Sequence, residues 1–377
     1  MRSLDIPLSI PTLTDEDIHR AVEVMRSGML VYGEVGRRVE ARIASMLGAD
    51  HSVLLFSNGT ATLHTALLAA GVGRGDKVIV PAFSYVATAN VVEMVGATPV
   101  FVDVDIDTLN LDVGLLEPVS GAKAIIPVHE FGFPADMDAV NEFAGRNGLV
   151  VIEDAACAFG SRYNGRPAGT LADFGSFSLH PRKSLTTGEG GILTVRSREM
   201  LKIASEIRNH GIGMGKDGRP GFTNAGLNYR LTDIQSALLE GQLERSGQIF
   251  SKRAAIASRY ERFITHPLLR KPYMDVDKAK FETTWQSYHV ILDERVDRDL
   301  VIGRLAEKGI GTNYGAQCIP DTPYYRDRYG FEPGLQFPNA YRAYHKGLVL
   351  PLYDRMDMGS ADRVIEELKT ILDEYGE

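Results

Sequence analysis

The sequence has few cysteines, no excess of positive charge and no long apolar run. Its 377 residues include only 2 cysteines, Cys157 and Cys318, which excludes a disulfide scaffold and indicates a reducing compartment. A net charge of −8 argues against a general surface for nucleic acid or for an anionic membrane. The apolar runs are too short to span a membrane, and residues 1–20 lack the apolar core of a signal peptide. We therefore expect a cytoplasmic protein that binds neither nucleic acid nor membrane.

Several common motifs are missing as well. The chain has no Walker motif and no GxSxG nucleophile elbow. Its 9 histidines are scattered without the spacing of a metal site, so we expect no metal. The glycines of residues 71–76 fall between a predicted helix and a predicted strand, which favours a turn over a dinucleotide-binding loop.

The composition is typical of a globular protein, with 44% hydrophobic and 24% charged residues. In the first two thirds of the chain, short runs rich in Val, Ile and Phe alternate with helical patterns. This alternation predicts an α/β fold with a mostly parallel sheet covered on both faces. The predicted strands are residues 77–81, 98–104, 122–129, 149–155 and 174–180. The predicted helices of this part are residues 14–27, 60–70, 135–148 and 232–246.

The pattern changes near residue 250, which predicts a large domain at 1–249 and a smaller α/β domain at 250–377. In the second part, helices near 250–265, 297–308 and 359–374 flank short strands around 285–292 and 348–352. We expect helix 14–27 to pack across both domains. The composition of residues 211–224 predicts a mobile loop.

Polar residues stand where a sheet of this kind binds ligands, at the carboxyl ends of its strands. Asp154 ends one predicted strand, and a buried carboxylate there needs a positive partner: a protonated ring nitrogen, or a structural Arg or Lys. Gly59 and Thr60 follow the possible N-cap Asn58 at the start of a helix. A phosphate would suit this turn, but an ordinary capped helix has the same pattern.

Lys183 lies in a turn rich in Gly and Thr between two apolar strands, in SFSLHPRKSLTTGEGGIL. Loop lysines are usually solvated, but a lysine whose pKa is lowered by burial or by nearby cations attacks carbonyl groups. His180 and Arg182 could contribute to that environment. Ser178 precedes Lys183 by five residues, and it could contact a phosphate or bond to backbone.

The order of these features favours a reactive lysine, because a phosphorylated pyridinium aldehyde needs all of them. Lys183 would form a Schiff base, Asp154 would keep the ring nitrogen protonated, and the Gly59–Thr60 turn would anchor the phosphate. Tyr85 also follows a strand, and it could stack on the flat ring or belong to the core.

At these residues, and over nearly its whole length, the chain resembles the sugar aminotransferases of the DegT/DnrJ/EryC1/StrS family. These are pyridoxal-phosphate (PLP) enzymes with the aspartate aminotransferase fold, called fold type I. The resemblance implies a large domain with a mostly parallel central sheet and a smaller C-terminal α/β domain. The matching stretches include SNGTATLHTALLAAGVGRGDKVIVPAFSYVATANVVEMVGATPVFVDVD, PVHEFGFPADMDAV, VIEDAACAFGS, FSLHPRKSLTTGEGG, LNYRLTDIQSALLEGQL and LPLYDRM.

The resemblance also implies a role for each matching position. Lys183 matches the lysine that binds PLP and then moves the proton between the donor Cα and C4′ of the cofactor. Asp154 matches the partner of the pyridine nitrogen, and Tyr85 the aromatic residue stacked on the ring. Asn228 matches an asparagine that reaches the phosphate from the neighbouring subunit, which implies a homodimer with shared active sites. The other implied cofactor contacts are Gly59, Thr60, Ala156 and Ser178, and the implied substrate contacts are His180, Arg182 and Tyr314.

The chain departs from the family pattern in three places. Arg182 and Ser184 stand where many members have Thr and Asn, as in HPTKN. Cys157 stands where many members carry His or Gln. In residues 309–325, which shape the acceptor site, Gly315 and Ala316 replace a His–aromatic pair.

These features predict a homodimeric PLP-dependent aminotransferase. An amino acid, expected to be glutamate, would convert PLP to pyridoxamine phosphate (PMP), and the amine would pass to a keto-sugar. We expect a nucleotide-linked 4-keto-6-deoxy or 3-keto sugar; a keto-cyclitol or a free sugar is the alternative. A PLP- or PMP-dependent sugar dehydratase or isomerase, and a sugar sensor without activity, also remain open. Some relatives with histidine in place of the lysine are dehydratases, so Lys183 favours transamination.

Overall fold

The computed structural model describes residues 4–48, 50–274 and 276–375. The helices are α1 Asp15–Ser27, α2 Glu34–Leu47, α3 Gly59–Ala69, α4 Ala87–Met94, α5 Met137–Asn147, α6 Arg198–Arg208, α7 Asp233–Glu244, α8 Ser246–Phe263, α9 Arg298–Glu307, α10 Pro323–Tyr329, α11 Pro333–Gln336, α12 Pro338–Lys346 and α13 Met358–Asp373. The strands are β1 Ser52–Phe56, β2 Lys77–Pro81, β3 Phe83–Ser84, β4 Thr98–Val102, β5 Ala122–Ile125, β6 Val150–Asp154, β7 Arg162–Tyr163, β8 Arg166–Pro167, β9 Phe174–Ser178, β10 Gly191–Val195, β11 Ile212–Met214, β12 Pro220–Phe222, β13 Leu269–Arg270, β14 Phe281–Glu282, β15 Tyr288–Leu292, β16 Gln317–Cys318 and β17 Gly347–Leu350.

A central sheet of seven strands has the order β1-β10-β9-β6-β5-β2-β4. Strands β9, β6, β5, β2 and β4 are parallel, whereas β10 runs antiparallel to both of its neighbours, β1 and β9. The prediction of a mostly parallel sheet in an α/β fold is therefore confirmed. Because the carboxyl ends of the parallel strands meet at one edge, the residues that follow them are gathered there.

Local sequence signals explain where the helices begin and end. Asn58 caps α3, because its side chain accepts a hydrogen bond from the Ala61 N–H at 2.8 Å. Thr232 begins α7 with a capping box that it forms with Gln235. Gly148 ends α5 in the left-handed conformation, with φ 65°, as the predicted glycine stop requires.

A second sheet, of strands β13, β15 and β17, lies in the C-terminal part of the chain. Its strand β15 is buried along its whole length, and α8, α9 and α13 contribute to the same apolar core. The predicted division of the chain after residue 249 falls inside α8 and stays a prediction.

The N-terminal segment connects the two sheet regions. Helix α1 packs against α7, where the Arg245 guanidinium donates to Asp17 at 2.7 Å. Ahead of α1, Ile6 forms a parallel bridge with Ile310 and is buried in the C-terminal core. We predicted that helix 14–27 itself packs across both parts of the chain. In the structure the helix packs on α7, and Ile6, which precedes the helix, contacts the C-terminal core.

Residues 211–224, predicted to be a loop, contain the antiparallel hairpin of β11 and β12. Two of the glycines that suggested a loop belong to its turn: the Gly215 N–H donates to the Arg219 carbonyl at 2.8 Å, and Gly218 has φ 76°. Gly213 and Gly221 lie in the strands themselves. Glycine-rich segments occur in the turns of hairpins as often as in loops. The prediction of a loop over residues 211–224 was therefore wrong.

Within the described ranges, no helix is both long enough and apolar enough to cross a membrane.

Candidate active site

A cavity of about 750 Å³ opens at the carboxyl ends of the parallel strands. Its wall combines the start of α3, the residues after β6 and the turn between β9 and β10 with residues near β17. The structure brings nine of the predicted site residues to this cavity: Gly59, Thr60, Tyr85, Asp154, Ala156, Ser178, His180, Arg182 and Lys183.

The start of α3 forms one end of the cavity. Asn58 caps the helix through the N–H of Ala61, and its carbonyl accepts the N–H of Thr62. The N–H groups of Gly59 and Thr60 have no partner inside the helix, as at every helix N-terminus. A Cβ on Gly59 would lie 3.1 Å from the Cβ of Ser178, so this turn has room for a glycine and little more.

Asp154 is the last residue of β6, and its carboxylate is buried, with 5% exposure. It accepts hydrogen bonds from the Thr88 hydroxyl at 2.8 Å and from the Ala156 N–H at 3.2 Å. Burial raises the pKa of Asp154 above its usual value, and the two hydrogen bonds only partly oppose that rise. In the described part of the chain no Arg or Lys pairs with this carboxylate, so the structural salt bridge considered above is not formed.

The preceding residue, Glu153, is buried on the opposite face of β6. Its carboxylate accepts hydrogen bonds from the N–H groups of Gly169 and Leu171, at 2.7 and 2.6 Å, and lies 2.9 Å from Nε2 of His129. The two consecutive carboxylates thus differ: Glu153 holds loops together, whereas Asp154 faces the cavity.

Lys183 lies in the turn that joins β9 to β10, and its side chain is half-buried. Its Nζ donates a hydrogen bond to Sγ of Cys157 at 2.9 Å, and its N–H donates to the His180 carbonyl at 2.8 Å. His180 lines the same wall, and burial lowers its pKa. Arg182 is exposed at the wall, and Nε2 of Gln286 donates to its carbonyl at 2.9 Å.

Glu130 also lines the cavity, and it was not among the predicted site residues. It is buried, with 5% exposure, and lies in the short turn Glu130–Gly132. Burial raises the pKa of Glu130 to about 8, whereas the positive charge of Lys183 lowers it. The sequence held a signal for it, because Glu130 directly follows the predicted strand 122–129, just as Asp154 ends its own strand.

Two tyrosines among the described residues border the cavity. Tyr85 lines it with 59% of its surface exposed, so it does not belong to the core. Tyr229, which the sequence analysis missed, lines it too, and its hydroxyl lies 3.1 Å from Nδ1 of His64. Tyr229 directly follows the predicted site residue Asn228 in LNYRLTDIQSALLEGQL, and that neighbour is the signal that could have found it.

Two predicted residues lie elsewhere. Asn228 is exposed and lies outside the wall of this cavity, in a bridge to Asn209. Tyr314 packs edge-on against Tyr344, while its neighbours Asn313 and Gly315 line the cavity. A single subunit therefore does not bring Asn228 or Tyr314 to the other site residues.

The structure explains why the chain has glycine at position 315. Gly315 has φ 86°, and a Cβ there would lie 2.8 Å from Cζ of Phe131 and 2.9 Å from Cγ2 of Val349. A larger residue would be strained and would clash, so this departure from the family pattern fits the local packing.

Comparisons with known proteins agree with this site. A sequence profile described as the DegT/DnrJ/EryC1/StrS aminotransferase family matches residues 11–369. A UDP-4-amino-4-deoxy-L-arabinose–oxoglutarate aminotransferase of Shewanella sediminis is 33% identical, over 97% of this chain and 98% of that protein.

Solved structures match over nearly the full length. Spr1654 of Streptococcus pneumoniae, assigned as a sugar aminotransferase, superposes with a TM-score of 0.92 and 29% identity over 98% of both chains. It has also been solved in PLP and PMP forms, each with a TM-score of 0.91. Helicobacter pylori PseC, an aminotransferase of pseudoaminic acid biosynthesis, has a TM-score of 0.91 and 25% identity over 98% of this chain and 99% of that chain.

The residues of the cavity fit PLP. Asp154 is a buried carboxylate whose partners among the described residues are neutral, which suits a protonated ring nitrogen. The helix start at Gly59 and Thr60 offers free N–H groups for a phosphate, and the amine of Lys183 lies in the same cavity. The cavity thus offers a carboxylate for the protonated ring nitrogen of PLP, N–H groups for its phosphate and an amine for its aldehyde.

Proposed function

This chain belongs to the DegT/DnrJ/EryC1/StrS aminotransferase family, and on that premise we propose that it transfers an amino group from glutamate to a nucleotide-linked keto-sugar. The enzyme is PLP-dependent, as the family is, and has the fold type I architecture. The observation that carries the proposal is the convergence of Lys183, Asp154 and the α3 N-terminus on one cavity.

Each part of the cofactor has a residue to hold it. Asp154 would bind the ring nitrogen, the α3 N-terminus and Ser178 the phosphate, and Tyr85 a face of the ring. When bound, PLP supplies an aldehyde that combines with amines and a pyridinium ring that withdraws electrons. Nζ of Lys183 would bind the aldehyde.

Lys183 also supplies the proton transfer. Both half-reactions require a proton to leave one carbon and to reach another, and an amine on a flexible side chain can carry it. The hydrogen bond to Cys157 holds Nζ inside the cavity, so the amine is already in place before the cofactor binds.

The sugar preference rests on the relatives. The Shewanella sediminis enzyme is named for a UDP-linked 4-amino sugar, and PseC acts in pseudoaminic acid biosynthesis. A cavity of about 750 Å³ falls within the usual range for ligand sites. Arg182, exposed at its wall, offers a positive charge for a substrate carboxylate or phosphate.

A homodimer in the cytoplasm completes the proposal. Exposed apolar side chains on the β11–β12 hairpin and beyond it, with Phe222 at 79% and Leu227 at 43% exposure, favour burial against a second copy. Asn228 lies beside them and would reach the partner's cavity. The cysteines Cys157 and Cys318 are both free, which favours a reducing compartment. Light scattering of the purified protein tests the dimer directly.

Absorption spectroscopy tests the central proposal. We expect a visible band from the PLP-loaded protein that collapses when glutamate is added, as the cofactor becomes PMP. The PMP form is then mixed with UDP- and dTDP-linked keto-sugars, and product mass identifies a gain of nitrogen. Loss of water without gain of nitrogen would instead establish a dehydratase. Absence of the band after PLP is added would refute the proposal.

A further inference from the structure

Gln286 connects the C-terminal part of the chain to the turn that carries Lys183. It lies between β14 and β15, is 9% exposed and lines the cavity. Its Nε2 donates a hydrogen bond to the carbonyl of Arg182 at 2.9 Å. Since Arg182 directly precedes Lys183, this bond acts on the peptide group that joins the two residues. The proposed reaction assigns no task to Gln286.

The side chain of Gln286 has one defined orientation. A carbonyl oxygen can only accept hydrogen bonds, so the amide must turn Nε2 towards Arg182. Its other polar atom, Oε1, accepts a hydrogen bond from the Ser287 hydroxyl at 2.9 Å. Because both ends of the amide are engaged, the side chain is fixed in the cavity wall.

The main chain of Gln286 is held as well. Arg253 on α8 is 2% exposed, and its guanidinium donates to the carbonyls of both Trp285 and Gln286. The turn that contains Gly132 lies close by, since a Cβ on Gly132 would lie 3.2 Å from the Gln286 nitrogen. Hydrogen bonds from a charged donor are stronger than neutral ones, so Arg253 anchors the main chain from which the amide extends.

The far end of the lysine turn has a glutamine of its own. Gln242 on α7 accepts a hydrogen bond from the Thr186 N–H at 2.9 Å and donates to the Thr186 carbonyl at 2.7 Å. These two bonds connect the turn to the N-terminal part of the chain at a point that follows Lys183.

The near end of the turn depends on Gln286. The Lys183 N–H donates to the His180 carbonyl at 2.8 Å, and the Arg182 N–H donates to Nδ1 of His180 at 3.2 Å. Both bonds are local to the turn, so they do not fix its place in the cavity. In the described part of the chain, the bond from Gln286 is the one that reaches the backbone of residues 180–183 from outside β9 and the turn.

We propose that Gln286 is a positioning residue for Lys183, because its amide fixes the peptide group from which the lysine extends. Among the described residues, Nζ of Lys183 has only the Cys157 thiol as a hydrogen-bond partner, and sulfur is a weak acceptor. The main chain therefore determines where the amine lies in the cavity. Displacement of a reacting group by about 1 Å can lower a rate about a hundredfold. This inference rests on the proposed role of Lys183, but not on the identity of the sugar.

A glutamine with a merely structural task would contribute stability without affecting the lysine. Asn141 offers a comparison, since its Nδ2 donates to the Leu171 carbonyl at 3.0 Å, away from the cavity wall. Gln286→Met and Asn141→Leu each remove one amide-to-carbonyl hydrogen bond with little change of shape. The two variants therefore match in the bond that is lost and differ in whether that bond reaches the lysine turn.

Amide hydrogen exchange in the cofactor-free full chain is the first test. In Gln286→Met the Lys183 N–H should exchange at least about tenfold faster than in wild type, because its peptide group has lost its anchor. The Thr186 N–H should keep its rate, since Gln242 still holds it. Asn141→Leu should leave both rates unchanged. An unchanged Lys183 rate in Gln286→Met would overturn the inference.

The second test measures single turnovers of the PLP-loaded protein as glutamate removes the visible band. Gln286→Met should lower the maximal rate about ten- to hundredfold, while the glutamate concentration for half-maximal rate stays within about twofold of wild type. Asn141→Leu should match wild type in both quantities. A structural role would reduce the folded fraction and leave the rate constant of the folded protein intact. Equal maximal rates in wild type and Gln286→Met would therefore also refute the inference.

Ser287→Ala is the second variant, because it keeps Gln286 and removes only the hydroxyl that orients the amide. We expect faster exchange of the Lys183 N–H and a lower maximal rate, each by about threefold. If Gln286→Met does not fold, wild-type values of both quantities in Ser287→Ala would contradict the inference. The exchange test uses neither PLP nor sugar, and the visible band of wild type reports the cofactor directly. Failure here is therefore distinct from failure of the proposed function.

Discussion

Nζ of Lys183 lies 2.9 Å from Sγ of Cys157, so the amine that should bind the cofactor donates a hydrogen bond to a thiol. Sulfur is a weak acceptor, and a weak bond holds the amine in the cavity without fixing it there. The family members that carry His or Gln at this position would offer a stronger partner. Cys157 thus favours a lysine that is easily released.

Lys183→Ala should abolish both the visible band and the glutamate half-reaction. The variant should still fold, because Lys183 lies in a turn and its side chain is only half-buried. Absorption spectra and circular dichroism measure the two effects. Lys202→Ala is the matched control, since this lysine lies on α6 with 65% of its side chain exposed. Undiminished transamination by Lys183→Ala would show that Lys183 is not the lysine that binds the cofactor.

Asp154→Asn should lower turnover about a thousandfold, because removing one member of a buried charge pair costs about 4 kcal/mol. The cofactor-free variant should be at least as stable as wild type at pH 7. The folded state raises the pKa of Asp154, so the ionised carboxylate costs stability above its unfolded pKa, and asparagine removes that cost. Urea unfolding and single-turnover kinetics with glutamate measure both.

Glu153→Gln is the natural counterpart to that variant. Glu153 accepts hydrogen bonds from two buried N–H groups, one at each carboxylate oxygen. In glutamine an NH₂ group replaces one of these oxygens, so it would face a backbone N–H and that hydrogen bond would be lost. We expect a loss of stability of about 2–4 kcal/mol. The folded fraction of the Glu153→Gln variant should still bind PLP and show the visible band. If Asp154→Asn and Glu153→Gln had the same effects, the assignment of these neighbours to different tasks would be wrong.

Glu130→Gln should flatten the pH dependence of stability in the cofactor-free protein. Below about pH 4.5 the acid is protonated in both states and contributes nothing. The folded pKa of about 8 lies above the unfolded value of 4.5, so the folded state holds the extra proton between them, and stability falls as the pH rises through this range. The loss amounts to at most about 5 kcal/mol. Thermal unfolding at pH 5, 7 and 9 should show the variant gaining over wild type at the highest pH; parallel curves would contradict this.

The thiols of Cys157 and Cys318 should react slowly with a disulfide reagent in the native protein. Burial raises the pKa of both, that of Cys318 to about 12, and the thiolate is the reactive form. We expect rates at least about tenfold below those of the urea-denatured chain at pH 8. Bound PLP should slow Cys157 further, because this residue lines the cavity. The Cys157→Ser variant assigns the two rates, and a native reaction as fast as that of the denatured chain would contradict the raised pKa values.

The parallel strands were predictable because they are short runs rich in Val, Ile and Phe, and residues 77–81 match β2 at both ends. The edge strand β4 was predictable too, although one of its faces is partly exposed. The grouping of polar site residues was predictable as well, because the carboxyl ends of parallel strands lie at one edge of the sheet. Asp154 follows from this rule, whereas Lys183 was predicted from its turn rich in Gly and Thr and from the order of the site features along the chain.

Other parts of the site depend on the three-dimensional packing. Tyr229 and Thr88 lie near the predicted residues Asn228 and Tyr85 in the sequence, but only the fold shows that Tyr229 lines the cavity and that Thr88 donates to Asp154. The ring direction of Tyr314 depends on its packing against Tyr344, which no local pattern encodes. The antiparallel course of β10 was equally hidden, because a short, fully buried strand has the same sequence pattern in either direction.

That antiparallel course has a mechanical consequence for the lysine. Strands β9 and β10 pair with each other from Gly191 opposite Ser178 to Val195 opposite Phe174, and each also pairs with a further strand on its other side. The turn that carries Lys183 therefore emerges from an anchored base. In the role proposed for Lys183, its four-carbon side chain would move the amine between carbon atoms of the substrate and the cofactor, while the paired strands hold the main chain in place.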